Sequence, residues 1–397
     1  MAIFDKFQQL AATRRALAES GIQSINVVMD RVVSATEAVV NGRSLILAGT
    51  NNYLGLTFNP DCIEAACHAV RTQGTGTTGS RAANGSYAVH AQLERDLADF
   101  FGRRGVIVFS TGYVANLGML STLAGPGDVF VIDGDCHASI YDGCRLSGAE
   151  IIRFRHNDAA DLDKRLRRLG GRIENTLIVV EGIYSMLGDR APLADIAAVK
   201  RSYPGAFLVV DEAHSLGVLG EKGRGMAEEA GVEADVDFII GTFSKSLGAI
   251  GGYCASDHPE LDLIRFANRP YVFTASSSPS IIASTRAALK ILGAQPHLRQ
   301  RLWDNSHRLY ARLSGLGLHL SPEPSPIIAV RFDQREKAFA GWTGLIERGV
   351  YVNLVLPPAT PDGSSLLRCS VSAGHTPEQI DTIGNAFADL QTAGGLA

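Results

Sequence analysis

The sequence predicts an α/β protein, with a large domain built on a mostly parallel seven-stranded sheet and a smaller α/β domain beside it. The first observation behind this prediction is a series of short, apolar, β-branched runs between residues 105 and 256 that alternate with helical patterns. Such runs are typical of strands that are buried on both faces, as in a parallel sheet covered by helices. In chain order the runs are GVIVFS, DVFVID, EIIRF, TLIVVEG, AFLVVDEAH, VDFIIGTFSKS and GGYCAS.

The second observation is a change of pattern near Ser280, where long helical stretches begin and are followed by a mixture of short strands and helix. This change predicts a large ligand-binding domain over residues 51–280 and a small domain over residues 281–397. We expect residues 1–50 to join the small domain. A chain of 397 residues that is 46% hydrophobic is long enough to bury a large core.

Composition narrows the range of partners. The formal net charge of −4 offers no basic surface for nucleic acid, and no apolar run has the length of a membrane span or the form of a signal peptide. The six cysteines have neither a C-x-x-C pair nor a zinc-like spacing, which indicates reduced thiols in a cytoplasmic protein. We therefore expect the partners to be small molecules or further copies of the chain.

One glycine-rich stretch imitates a dinucleotide-binding loop. The residues from Gly74 to Gly79, GTGTTG, match G-x-G-x-x-G, but that motif works only between a strand and a helix. Here the preceding residues 60–73 have helical periodicity, and Ser86 is placed to cap a second helix. A loop between two helices does not fit a dinucleotide site.

Polar residues follow three of the apolar runs, where the carboxyl ends of the strands would meet at one edge of the sheet. In open parallel sheets, ligands bind at that edge. The run FLVV is followed by Asp211 and then His214, FIIG by the residues Thr242 to Lys245, and VIVF by the residues Ser110 to Tyr113.

A lysine, an aspartate and a histidine at such an edge suit pyridoxal 5′-phosphate (PLP). Lys245 can form a Schiff base with the aldehyde, Asp211 can keep the pyridine nitrogen protonated, and His214 can bind the phenolic oxygen. Taken singly, each residue also has an ordinary explanation, because an Asp at a strand end often caps a turn and a Lys is usually solvated.

The phosphate of this cofactor needs several donors. The hydroxyls of Thr242 and Ser244, together with the backbone N–H groups of Thr111, Gly112 and Tyr113, can form a cradle at a helix N-terminus. No metal is required. The letters DEAH also occur in helicases, but the chain has no G-x-x-x-x-G-K-[ST] loop, which argues against that function.

The order and spacing of the motifs resemble those of the α-oxoamine synthases, a family of PLP enzymes, over nearly the whole chain. The resemblance implies an aminotransferase-like fold (fold type I), a homodimer, and a reaction that joins an amino acid to an acyl-CoA with loss of carbon dioxide. The motifs are NNYLGLTFNP, GTGTTGSRAANGSYAVHAQLE, FSTGYVANLG, DCHASIYDG, VVEGIYSMLGD, VVDEAHSLGVLG, GTFSKSLGAIGGY, YVFTAS and LLRCSVSAGHT.

The resemblance also implies roles for individual residues. His137 would stack over the cofactor ring, Thr274 would reach into the site of the partner subunit, and Lys245, Asp211 and His214 would act as described above. The phosphate contacts would be Gly112, Tyr113, Thr242 and Ser244.

The resemblance places the substrates as well. Arg368 and Asn52 would anchor the carboxylate of the amino acid, and a guanidinium fork suits that anion. Ser80 and Arg81 of the glycine-rich loop would face the acyl-CoA. Glu181 and Ser185 lie at the matching strand end, with roles that the motifs do not define.

The segments GTFSKS and LPPATP resemble the members that condense L-serine with palmitoyl-CoA to 3-ketodihydrosphingosine, the first step of sphingolipid synthesis. Leu356 is a departure, because some of these members carry an arginine there. The alternatives are therefore alanine with pimeloyl-CoA, or glycine with acetyl- or succinyl-CoA. A non-catalytic subunit is a further alternative, against which Lys245 argues. We expect at most a transient contact with the inner membrane.

Overall fold

The structure, a computed structural model, describes residues 3–19, 27–357, 360 and 363–396. The strands are β1 Arg31–Val32, β2 Glu37–Val40, β3 Arg43–Leu47, β4 Gly105–Phe109, β5 Val129–Asp133, β6 Glu150–Phe154, β7 Thr176–Glu181, β8 Phe207–Asp211, β9 Phe238–Thr242, β10 Gly252–Ser256, β11 Ile327–Phe332, β12 Val350–Tyr351, β13 Asn353–Val355 and β14 Ser365–Ser370.

Helices cover both faces of the central sheet and build most of the rest of the molecule. They are α1 Gln8–Glu19, α2 Pro60–Gln73, α3 Ala88–Phe101, α4 Gly112–Leu123, α5 Ala138–Ser147, α6 Ala159–Arg167, α7 Leu193–Arg201, α8 Met226–Glu229, α9 Leu261–Ala267, α10 Arg269–Val272, α11 Pro279–Ala294, α12 His297–Gly315, α13 Arg335–Glu347 and α14 Pro377–Thr392. Within the described residues, none of these helices is both long and apolar enough to cross a lipid bilayer.

The central sheet contains the seven predicted strands in the order β4-β10-β9-β8-β7-β5-β6. β10 runs antiparallel to both of its neighbours, and the other pairings are parallel. In β5, Val129 and Val131 pack into the apolar cluster on one face, while Phe130 and Ile132 pack into the cluster on the other. The prediction of a mostly parallel sheet buried on both faces is thus confirmed.

Two smaller sheets lie outside the central one. One has the order β1-β2-β3-β12, in which β3 pairs in parallel with β12, and the other is the antiparallel sheet β11-β14-β13. Strands from the first fifty residues therefore pair with a strand near residue 350. The division of the chain at residues 50 and 280 remains a prediction.

The glycine-rich stretch lies between two helices, as its flanks predict. α2 begins after Asn59, whose side chain accepts hydrogen bonds from the N–H groups of the first turn, and it ends at Gly74, whose φ is 82°. The prediction that Ser86 caps α3 is wrong. The Ser86 hydroxyl instead donates to the carbonyl of Arg81 over 2.6 Å, and Tyr87 occupies the capping position.

Candidate active site

A cavity of about 260 Å³ opens where the strands β7, β8 and β9 end and the helices α4 and α5 begin. This is the edge at which ligands bind in open parallel sheets. The cavity is lined by nine residues to which the sequence assigned a role: Thr111, Gly112, Tyr113, His137, Asp211, His214, Thr242, Ser244 and Lys245. Glu181 lines it as well.

Asp211 is the last residue of β8 and is almost completely buried. Its Oδ2 accepts a hydrogen bond of 2.6 Å from the side-chain amide of Asn116, and its Oδ1 accepts one of 2.9 Å from the backbone N–H of Ala213. The Asn116 amide also donates to the Ser139 hydroxyl over 3.0 Å. These donors fix the carboxylate without neutralising it. Sequence reasoning missed Asn116, although a buried amide in the otherwise apolar stretch YVANLGML was a usable signal.

Lys245 follows β9 and is half-buried at the wall of the cavity. Burial of the amine lowers the pKa of Lys245 to about 8, although the carboxylates of Asp211 and Glu181 oppose this change. The positive charge of Arg368 lowers this pKa further. A substantial fraction of the amine is therefore neutral close to physiological pH, the state in which an amine is nucleophilic.

His214 is buried and hydrogen-bonded through Nδ1 to the hydroxyl of Tyr53, at 2.7 Å. Burial lowers the pKa of His214 well below its ordinary value, and the positive charges of Lys245 and Arg368 lower it further. Burial also raises the pKa of Tyr53 to about 12, so the ring and the phenol are both neutral. Tyr53 lies in the quoted motif NNYLGL, but its part in orienting His214 was not predicted.

Glu181 ends β7 and lies opposite Asp211 in the sheet register. Burial and the neighbouring Asp211 carboxylate raise the pKa of Glu181 well above its ordinary value, which favours its protonated form. Its Oε1 accepts the backbone N–H of His137 over 2.5 Å. His137 precedes α5, and its Nδ1 accepts the N–H of Ser139 over 3.2 Å, which orients the imidazole at the cavity.

The start of α4 borders the cavity and has the groups that could hold an anion. Thr111 caps the helix by accepting the N–H of Val114 over 3.1 Å, while Gly112 and Tyr113 provide the first backbone N–H groups of the helix. The Thr242 hydroxyl lies 2.9 Å from that of Ser244. A Cβ on Gly112 would come within 2.7 Å of the Thr242 Cβ, so the close approach of the two segments requires glycine here.

Arg368 lies on β14 and is buried. Its Nε donates to the backbone carbonyl of Ser185 over 2.6 Å, and both terminal nitrogens lie 3.2 Å from Oδ1 of Asn51. Asn51 therefore lies against the guanidinium, and the role of Asn52 as an anchor of the substrate carboxylate remains a prediction. The Asn52 amide instead donates to the Thr57 hydroxyl over 2.7 Å. Two adjacent asparagines could not be told apart from the sequence, since their orientation depends on the backbone.

The glycine-rich loop departs from its predicted role. The guanidinium of Arg81 pairs with both oxygens of Glu94 at 3.0 and 3.2 Å, its Nε donates to Ser86, and its side chain is only 8% exposed. The structure thus contradicts the prediction that Arg81 faces an acyl-CoA. Ser80 is half-buried, and its backbone carbonyl accepts the N–H groups of Ala83 and Gly85.

Two further predictions concern residues outside the cavity. Thr274 lies in a separate small cleft with Ser110 and His90, and its contact with a partner subunit remains a prediction. Leu356 is half-buried, whereas residues 358–359 and 361 of the segment LPPATP lie outside the described residues. Among the residues that the structure describes, no group of His, Cys, Asp and Glu side chains is arranged to hold a metal ion.

The chain belongs to the aminotransferase class I and II family, whose model matches residues 43–387. Serine palmitoyltransferase of Caulobacter vibrioides is 57% identical over 396 residues, which cover 100% of this chain and 98% of that protein. Two solved structures superimpose over 100% of both chains with a TM-score of 0.97. One is serine palmitoyltransferase from S. paucimobilis with a bound PLP–myriocin aldimine, 47% identical. The other is serine palmitoyltransferase with a PLP internal aldimine, 48% identical.

These similarities confirm the resemblance that the motifs indicated and the fold type I, aminotransferase-like architecture. The cavity holds an amine, a buried carboxylate and a helix N-terminus together at the carboxyl ends of parallel strands.

Proposed function

We propose that this chain is a PLP-dependent acyltransferase that joins L-serine to palmitoyl-CoA and releases CoA, carbon dioxide and 3-ketodihydrosphingosine. The observation that carries the proposal is the meeting of Lys245, Asp211, His214 and the N-terminus of α4 in one cavity. The full-length similarity to serine palmitoyltransferases supports the choice of reaction.

The residues present fit PLP. The phosphate would bind at the N–H groups of Gly112 and Tyr113 and the hydroxyls of Thr242 and Ser244, where the close packing of Gly112 on Thr242 leaves the backbone donors accessible. Asp211 supplies a fixed carboxylate for the pyridine nitrogen, and neutral His214 supplies a hydrogen-bonding group for the phenolic oxygen. When bound, PLP supplies an aldehyde that reacts with amines and a ring that takes up the electron pair released at Cα.

Lys245 is the base in this reaction. With a pKa of about 8, its amine can accept the Cα proton of the amino acid near neutral pH and return it later. Arg368, a buried cation whose charge lowers the pKa of Lys245, would bind the carboxylate of the amino acid, and Asn51 and the Ser185 carbonyl fix the direction of its guanidinium. His137, whose backbone N–H is held by Glu181, lines the cavity and would stack over the ring of the cofactor.

We also propose that the enzyme works as a homodimer in the cytoplasm, with Thr274 of one subunit completing the phosphate site of the other. The half-buried position of Thr274, in a cleft separate from the cavity of its own chain, is compatible with this arrangement. Sedimentation of the purified protein tests the dimer directly. A monomer with full activity would rule out the shared site.

The test of the function is a spectral titration followed by a thiol assay. The purified protein should be yellow, and L-serine should change the spectrum more than L-alanine or glycine does. Palmitoyl-CoA should then release thiol faster than pimeloyl-, acetyl- or succinyl-CoA does. A response to alanine with pimeloyl-CoA, or to glycine with a short acyl-CoA, would replace the proposed substrates. A colourless protein that does not take up PLP would reject the proposal as a whole.

A further inference from the structure

A charged cluster lies beside the cavity, and none of the residues lining the cavity belongs to it. Its centre is His156, which follows β6. The Nδ1 atom of His156 lies 2.8 Å from Oδ1 of Asp133, and Nε2 lies 2.6 Å from Oδ2 of Asp189. Both aspartates are buried, Asp133 completely and the Asp189 side chain with 9% exposure, so the imidazole joins two carboxylates that have little or no contact with solvent.

His156 carries its proton at neutral pH. Burial alone would lower the pKa of this imidazole, but the hydrogen bonds to Asp133 and Asp189 outweigh burial and raise the pKa to about 10. Two other titratable groups face the ring. Asp135 lies 3.8 Å from Nδ1, and the Tyr184 ring lies edge-on at 4.5 Å between centroids. The imidazolium thus donates from both of its nitrogens at once.

Asp133 fixes the chain that leads to His137. It ends β5, and its Oδ1 accepts the backbone N–H of Asp135 over 2.9 Å. Its Oδ2 accepts the backbone N–H of Asn157 over 2.9 Å. The turn between β5 and α5 is therefore attached to the end of β6 through one carboxylate.

Asp189 fixes the segment that holds Arg368. It lies in hairpin 182–190, which is closed by a bridge between Ile183 and Arg190. The backbone carbonyl of Asp189 accepts the N–H of Tyr184 over 2.9 Å. The same hairpin carries Ser185, whose carbonyl accepts the Nε of Arg368 over 2.6 Å. The far side of the hairpin is held by the ion pair between Arg190 and Glu323.

We propose that His156 is a positioning residue for the amino-acid substrate. By bridging Asp133 and Asp189 it fixes hairpin 182–190, and through the Ser185 carbonyl it sets the direction of the Arg368 guanidinium. The inference rests on the proposed function, because it requires Arg368 to bind the carboxylate of the amino acid. A neutral side chain at position 156 would leave one or both buried aspartates without a charged partner, and the hairpin would relax.

The test compares the PLP-loaded wild type with His156→Asn and with the control His258→Asn. His258 is a suitable control because it also contacts an aspartate, Asp237 at 3.1 Å, but at the opposite edge of the sheet. In His156→Asn, the Kd and KM for L-serine should rise about tenfold, since misplacement of a binding group weakens a site strongly. The affinity for PLP and the KM for palmitoyl-CoA should stay within about twofold of wild type, because neither depends on Arg368 and because Asp133 keeps its hydrogen bonds to the backbone of Asp135 and Asn157. His258→Asn should change none of these constants.

A double variant separates this role from a general structural one. In an Arg368→Lys background, removal of His156 should have little further effect on serine binding if His156 acts through Arg368. An unchanged serine Kd in His156→Asn, or an equal loss in both backgrounds, overturns the proposal. If His156→Asn fails to fold, Asp189→Asn takes its place in the same measurements. A wild type that responds to no amino acid would instead overturn the proposed function, so the two failures are distinguishable.

Discussion

The two edges of the central sheet carry the same types of ionisable residue and use them in opposite ways. At the carboxyl edge, Lys245 and Asp211 line a cavity of about 260 Å³. At the amino edge, where β7, β8 and β9 begin, the Lys200 amine and the His258 ring each lie 3.1 Å from the carboxylate of Asp237. A second cavity, of about 370 Å³, opens beside His258 at this edge.

The difference lies in how each charge is compensated. At the amino edge the Lys200 amine and the His258 ring each contact the Asp237 carboxylate directly, and these side chains are 17–34% exposed. At the carboxyl edge, burial outweighs the nearby carboxylates and lowers the pKa of Lys245 to about 8, while burial and the Asp211 carboxylate together raise the pKa of Glu181. Paired charges near solvent contribute modestly to stability, whereas incompletely paired buried charges are reactive. Residue type alone does not make a site, and cavity size alone does not either.

The largest expected effect is that of Lys245→Ala, with Lys200→Ala as its matched control. Loss of the base should lower turnover by roughly 10²–10⁴-fold. Borohydride reduction followed by peptide mapping should label the Lys245 peptide with the cofactor in wild type and in Lys200→Ala. If Lys245→Ala turns over normally, the contrast between the two edges has no catalytic meaning.

Next in size is Asp211→Asn, for which Asp237→Asn is the control. Asparagine keeps the shape but removes the charge expected to hold the pyridine nitrogen protonated, so kcat should fall by about 10²–10³-fold. Stopped-flow measurement of proton exchange at the Cα of serine isolates this step. Equal activity losses in the two variants would show that the charge matters only for folding.

A pH dependence should separate Lys245 from an ordinary lysine. Reaction with the PLP aldehyde needs the neutral amine, so the rate at which the apoprotein takes up PLP should rise with pH and level off above a pKa of about 8. With an ordinary lysine, the rate of PLP uptake would continue to rise until the pH reaches about 10.4. The absorbance of the bound cofactor, followed over time at several pH values, gives the midpoint. A midpoint near the pKa of a solvated lysine would mean that burial does not lower the pKa of the Lys245 amine.

The smallest effect should be that of His258→Asn at the amino edge. The pair with Asp237 is partly exposed, so its loss should cost about 1 kcal/mol or less in the free energy of unfolding. The free energy of unfolding in urea and the enzyme activity, both measured for His258→Asn and wild type, check this prediction. A large loss of activity with little loss of stability would show that the amino-edge cavity takes part in function, contrary to the comparison.

Much of this architecture could be predicted from the sequence. The seven apolar runs became the seven strands of the central sheet, because a strand buried on both faces must be apolar along its length. The same rule located two residues of the proposed site, since Asp211 directly follows the run FLVV and Lys245 is the fourth residue after FIIG. The helix over residues 60–73 was predicted from its periodicity.

These rules do not predict the direction in which a side chain in a loop points. Asn51 and Asn52 are chemically identical, and only the path of the backbone decides that Asn51 meets Arg368. Arg81 was expected to face a ligand, but Glu94, thirteen positions further along the chain, takes up its guanidinium. The supporting contacts of Tyr53 to His214 and of Asn116 to Asp211 join segments that are 161 and 95 positions apart.

The sequence by itself determined the sheet, the order of its strands along the chain and the identity of the reactive side chains. These follow from local periodicity and from the position of polar residues relative to apolar runs. Only the tertiary structure decided which carboxylate meets which donor, how far the Lys245 pKa falls and which asparagine faces Arg368. Those properties depend on burial and on distances between remote segments, which arise when the chain has packed.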